Sequence, residues 1–64
     1  MTIEKFKKSS FKHAFYFNDI KTQEDVDALA AEIRELTRNG DYEAVYELAQ
    51  MDNIDMDDIF ELIK

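Results

Sequence analysis

The sequence contains no cysteine, no proline and no tryptophan, and only one glycine and one histidine. Without cysteine no disulfide can staple the fold, although chains this short commonly rely on one. Structural zinc sites are built from Cys and His, so a lone His13 leaves no set of ligands for one. With no proline and a single Gly40, Gly/Pro-rich linkers and Gly-rich phosphate loops are absent. No apolar run is long enough to cross a bilayer, and no signal-peptide core is present. These absences predict a soluble, cytoplasmic protein with no membrane contact, no metal and no cofactor. The lack of thiols fits a reducing compartment.

What is present predicts one small folded unit, a single domain over 1–64. Apolar residues make up 45% of the chain, too many for a disordered composition. Five Phe and three Tyr supply large core-forming side chains. The net charge is −7, and it is unevenly spread. Residues 1–20 hold four lysines against two acids, whereas residues 21–64 hold four bases against thirteen acids. Such a surface keeps a small protein soluble. It also repels nucleic acid and attracts basic surfaces.

Helix signals dominate the chain after residue 21. Thr22 is a good N-cap, and Asp25 at the third helical position comes close to a capping box. Val26, Leu29, Ile33 and Leu36 recur at spacings of three and four and mark one apolar stripe. Asn39-Gly40 stops that helix, with Gly suited to a left-handed cap. Asp41 caps a second helix over 42–51, with Val45, Leu48 and Ala49 facing inward. The short turn makes the pair an antiparallel hairpin. The stretch Asn39–Ala49 resembles the turn of a tetratricopeptide unit, but one unit is not an array, so it reads as an ordinary hairpin. A last helix starts at Asp55, where Ile54 and Ile59 match a hydrophobic staple. Its buried face is Ile59, Leu62 and Ile63, with Phe60 beside it.

The aromatic segment 11–17 has two readings. As a strand it would put Phe11, His13, Phe15 and Phe17 on one face. As a helix it would group Phe11, Ala14 and Phe15. The expected fold is therefore mainly α. It is a three- to four-helix domain with a hairpin at 22–51, and an α+β alternative stands if 11–17 is a strand.

Nothing in the sequence assembles a catalytic site, so the protein is not expected to be an enzyme. His13 sits among aromatics, where a structural role is expected. Ser9 and Ser10 have no local base. The carboxylates fall on caps and outer helix faces, not in pairs split by burial. Calcium fails in both registers of the acid-rich stretch. An EF-hand counted from Asp52 meets Ile54 and Ile63 at ligand positions, and one counted from Asp55 meets Ile59.

One motif has a mechanism. Ala49, Asn53, Ile54, Asp55, Ile59 and Leu62 are spaced as in helix-turn-helix DNA-binding domains, which residues 47–63 resemble. Ala49 stands at the small position of the first helix, Asn53 at the tight turn and Asp55 at the cap of the second helix. The resemblance implies DNA recognition by that second helix, yet the charges oppose it. Residues 41–64 carry eight acids against Lys64 alone, so the phosphate attraction that dominates DNA affinity becomes repulsion. No direct nucleic-acid binding is expected.

The same acids suit the opposite role. Duplex DNA carries one charge per roughly 1.7 Å, and a helix rises about 1.5 Å per residue, so clustered carboxylates approach that density. Asp41, Glu43, Glu47, Asp52, Asp55, Asp57, Asp58 and Glu61 are the expected partner-binding acids. Tyr42, Tyr46 and Met56, and Phe60 where exposed, are the expected apolar anchors. Helix capping alone accounts for about half of these acids. The expected function is inhibition or modulation of a nucleic-acid-handling protein through a basic surface, with DNA mimicry as its sharper form. In size and charge the chain is similar to phage and mobile-element proteins, including anti-CRISPR and anti-restriction proteins. The alternatives are a regulatory adaptor docking a helical face on a protein, or a self-associating assembly protein that uses segment 11–17 to form a homo-oligomer.

Overall fold

A computed structural model describes residues 1–64. Four α-helices follow in order: α1 Ile3–Lys8, α2 Gln23–Arg38, α3 Tyr42–Met51 and α4 Met56–Ile63. Two short 3-10 turns, Ser10–His13 and Phe17–Asp19, join α1 to α2. The fold is mainly helical, contains no strand, and includes the hairpin at 22–51 and the short C-terminal helix.

The helix boundaries follow from local chemistry. At Thr22 both halves of the capping box form: its hydroxyl accepts from the Asp25 N–H, and the Asp25 carboxylate accepts from the Thr22 N–H. Asp41 caps α3 by accepting from the Ala44 N–H, and Asp55 caps α4 by accepting from the Asp57 N–H. The C-termini of α2 and α3 close by the same device. Gly40 lies at φ 76°, with Gly40 N donating to Thr37 O and Asp41 N to Leu36 O. Asn53 lies at φ 56°, with Asn53 N donating to Gln50 O and Ile54 N to Ala49 O. Both are Schellman motifs, one with the expected Gly and one with Asn, which tolerates the left-handed region.

The core draws on every helix. Phe6, Phe11, Val26, Ile33, Ile59 and Leu62 are fully buried, and smaller Ala30 and Ala49 let the helices approach closely. Only 12 of 64 residues are buried, so each core side chain carries a large share of the stability. Polar ties close the assembly. Gln23 of α2 accepts from the Ile3 N–H and donates to the Met1 carbonyl, which docks α1. Arg34 of α2 donates to the carbonyls of Ile63 and Lys64, covering the orphan carbonyls at the end of α4.

Segment 11–17 is neither the strand nor the α-helix considered above. Phe11 and Ala14 are buried, Phe17 is half-buried, and Phe15 is 85% exposed. The inward residues are three apart, which is the period of a 3-10 turn. The cause is local. Ser9 Oγ donates to Phe6 O and accepts from Phe11 N, so the chain turns sharply after α1. Phe6 then stacks on Phe11 and Phe17, with ring centroids 4.9 and 5.6 Å apart. Those aromatics bury themselves against one another, and Phe15 is left outside.

Candidate functional site

The eight acids expected to meet a partner divide into two groups. Asp41 and Asp55 are occupied as caps. Asp58 accepts from both the N–H and the hydroxyl of Ser10, and the Ser10 Oγ accepts in turn from the Asp55 N–H at 2.8 Å. This small network locks the first 3-10 turn to the start of α4. Glu61 pairs with Lys5 of α1 at 2.7 Å. That contact, through hydrogen bond and charge together, holds the Glu61 carboxyl below its ordinary value. Four acids remain without an ion pair or side-chain hydrogen bond: Glu43 and Glu47 on α3, Asp52 after it, and Asp57 on α4. The chain forms only one other ion pair, Glu35 with Arg38.

The free acids of α3 border a groove. Tyr42 and Tyr46 of α3 and Met56 and Phe60 of α4 line it, and Glu43 and Glu47 stand at its α3 margin. Each pair on α3 is four residues apart, so the tyrosines form one row and the glutamates the next. Tyr42, Tyr46 and Phe60 are 66%, 52% and 56% exposed, while Met56 is half-buried. Three large aromatics on one face of a 64-residue chain form an apolar patch next to unpaired carboxylates. The three expected anchors thus come together, with Phe60 as a fourth. Phe60 turns outward because Ile59, Leu62 and Ile63 already fill the inward side of a two-turn helix, so it does not join the buried face. Asp57 is also exposed on α4.

The helix-turn-helix spacing corresponds to real local geometry. Ala49, Ile54, Ile59 and Leu62 are buried, and Asn53 takes the left-handed conformation at the turn. The outer face of α4 nevertheless presents Asp57 and Phe60, with Lys64 at its end. His13 is exposed. Ser9 and Ser10 are engaged in the turn and in the α4 network. No three His, Cys, Asp or Glu side chains converge in a way that could hold a metal ion. No helix is long and apolar enough to cross a membrane.

Sequence reasoning missed a second apolar surface on the other flank of α3. Leu29 and Leu36 were expected in the α2 stripe and Leu48 in the α3 core, yet all three are only half-buried. The true centre of the α2 stripe is Val26, Ala30 and Ile33. Val26 and Ile33 of the expected stripe are buried, Leu29 and Leu36 pack against the core at its edge, and Ala30 joins it although alanine carries little hydrophobic signal.

Comparison with models of known protein families, with curated proteins and with solved structures gives no match.

Proposed function

We propose that the protein is a non-catalytic binding protein that docks the α3–α4 groove onto a basic surface of a nucleic-acid-handling protein and so competes with the nucleic acid. The observation that carries this reading is the row of unpaired Glu43 and Glu47 beside exposed Tyr42, Tyr46 and Phe60. Paired carboxylates explain solubility and capping. A free acidic row flush with an aromatic row matches the make-up of a protein-binding hot spot, where aromatic side chains supply affinity and charges supply register. The same acids disfavour direct contact with DNA or RNA. Inhibitors of this kind, encoded by phages and mobile elements, act in the host cytoplasm, and this reading places the protein there.

The experiment is salt-dependent binding to a basic nucleic-acid-binding partner recovered from host lysate. Mimicry predicts an affinity that falls steeply with salt and is competed by DNA. Replacing Glu43 and Glu47 by Lys abolishes it while the circular dichroism spectrum stays helical. Unchanged affinity of that variant would sink the proposal. The three exposed aromatics also favour a second reading, a regulatory adaptor. Its binding would survive high salt and be lost in Tyr46→Ala.

A further inference from the structure

The aromatic rings of the chain fall into two sets. Phe6 stacks on Phe11 and Phe17, and Phe15 meets Tyr16 edge to face. The rings left without an aromatic partner are Tyr42, Tyr46 and Phe60, and all three line the α3–α4 groove. Each of these residues is more than half exposed, so a ligand reaches the rings directly. An aromatic face carries negative potential, and one with no ring against it attracts a cation.

The charge on the groove points the same way. Glu43 and Glu47 on its margin are exposed, and neither is in an ion pair. No Lys or Arg of this chain lines the groove. Glu43 lies three residues before Tyr46 on α3, which makes the two neighbours on the helix surface, and Glu47 lies one turn beyond Glu43. Ring faces and carboxylates therefore stand side by side with no internal cation to satisfy them. A purely apolar ligand would strip water from the carboxylates and give nothing back. Two side chains carry the required charge. The Lys ammonium is a compact, strongly hydrated point charge. The Arg guanidinium is planar and weakly hydrated, lies flat on a ring, and keeps its N–H donors at its rim, where they fork onto a carboxylate. Only the guanidinium uses both features of the groove at once.

We infer that the α3–α4 groove is an arginine site, in which a guanidinium of the partner stacks on the Tyr46 ring and donates to Glu43. The methylene stem of that arginine packs along Phe60 and Met56. The inference rests on the proposed docking of this groove and adds which basic residue the partner presents to it.

The test titrates the full chain, followed by NMR, with a short Gly/Ser peptide bearing two arginines, and with the same peptide carrying lysine or citrulline instead. Citrulline keeps the planar shape and loses the charge. The expected result is ring-proton shifts at Tyr42, Tyr46 and Phe60, with nuclear Overhauser contacts from the arginine δ-methylene to those rings. The arginine peptide binds at least about threefold more tightly than the lysine peptide, and the citrulline peptide does not bind. Tyr46→Leu keeps an apolar side chain at an exposed position and removes the ring. It weakens arginine binding about two- to fivefold, the worth of a cation–π contact at an exposed site, and lysine binding less. Equal affinity for arginine and lysine, or unchanged affinity in Tyr46→Leu, would overturn the arginine site and leave an acidic docking face standing. Shifts confined to Ile20, Leu29 and Leu48 would overturn it as well. So would a failure of all three peptides to bind, and the proposed function would then rest on how the host partner responds to Glu43→Lys and Glu47→Lys.

Discussion

Asp57 and Asp58 are adjacent on α4 and do different things. Asp57 is exposed and makes no side-chain contact, whereas Asp58 satisfies two donors of Ser10. Asp58→Ala leaves those donors without their acceptor and is expected to cost about 1–3 kcal/mol in urea denaturation. Asp57→Ala is expected to stay within about 0.5 kcal/mol of the parent. A sequence cannot separate the two, since the deciding partner lies 48 residues away. Glu61 gives a pH signature. Lys5 lowers its carboxyl in the folded chain, so folding favours the charged form. The stability it adds is therefore complete above its ordinary value of 4.5 and fades as pH falls through the lower folded value. Glu61→Gln is expected to flatten the acid limb of a melting-temperature profile below about pH 5. Tyr16 runs the other way. Its raised phenol keeps its proton while the unfolded chain loses its own, so stability drops between the ordinary 10.0 and about 12. Absorbance near 295 nm is expected to show a tyrosinate step at about 12 that vanishes in Tyr16→Phe.

At the scale of elements, what was legible is what the chain decides locally. Thr22, Asp41 and Asp55 marked helix starts, and Gly40 and Asn53 marked helix stops, because each acts on backbone groups within four residues of itself. Segment 11–17 was not legible. Its shape is set by the Phe6 ring and by Asp58, which fix Phe11 and Ser10 from a distance. Alternation of aromatics mimicked a strand, and the spacing of three emerged only once Phe11 and Phe17 had Phe6 to stack on. The turn between α3 and α4 offers a test. Asn53 pays for its left-handed backbone less than most residues do, yet Gly does better there. Asn53→Gly is expected to be neutral or slightly stabilising by thermal denaturation. Asn53→Val is expected to cost about 1–2 kcal/mol, because a β-branched side chain resists positive φ. Equal melting temperatures for the two variants would contradict the Schellman assignment.

At the scale of the whole molecule, a net charge of −7 is a poor guide to the binding face. Half of the acids after residue 40 hold the structure together. The free ones matter because two of them share α3 with an exposed tyrosine row. The sequence indicated α2, α3 and α4 and the anchors Tyr42, Tyr46 and Met56, but not α1, which it left open between helix and strand. It did not indicate which carboxylates were free, nor that Phe60 faces out, since both depend on how α1 and α2 cover α4. Charge reversal at Asp58 and Glu61 would confound binding with folding, so a decisive variant must leave them intact. The most direct measurement is therefore the affinity of the Glu43→Lys, Glu47→Lys double variant for a basic nucleic-acid-binding partner, beside the parent chain at low salt. The account predicts a loss of at least roughly a hundredfold, about 1.4 kcal/mol for each tenfold step, with the helical circular dichroism spectrum retained and a small drop in melting temperature because Glu43 lies in the first turn of α3. An affinity equal to the parent's would contradict it.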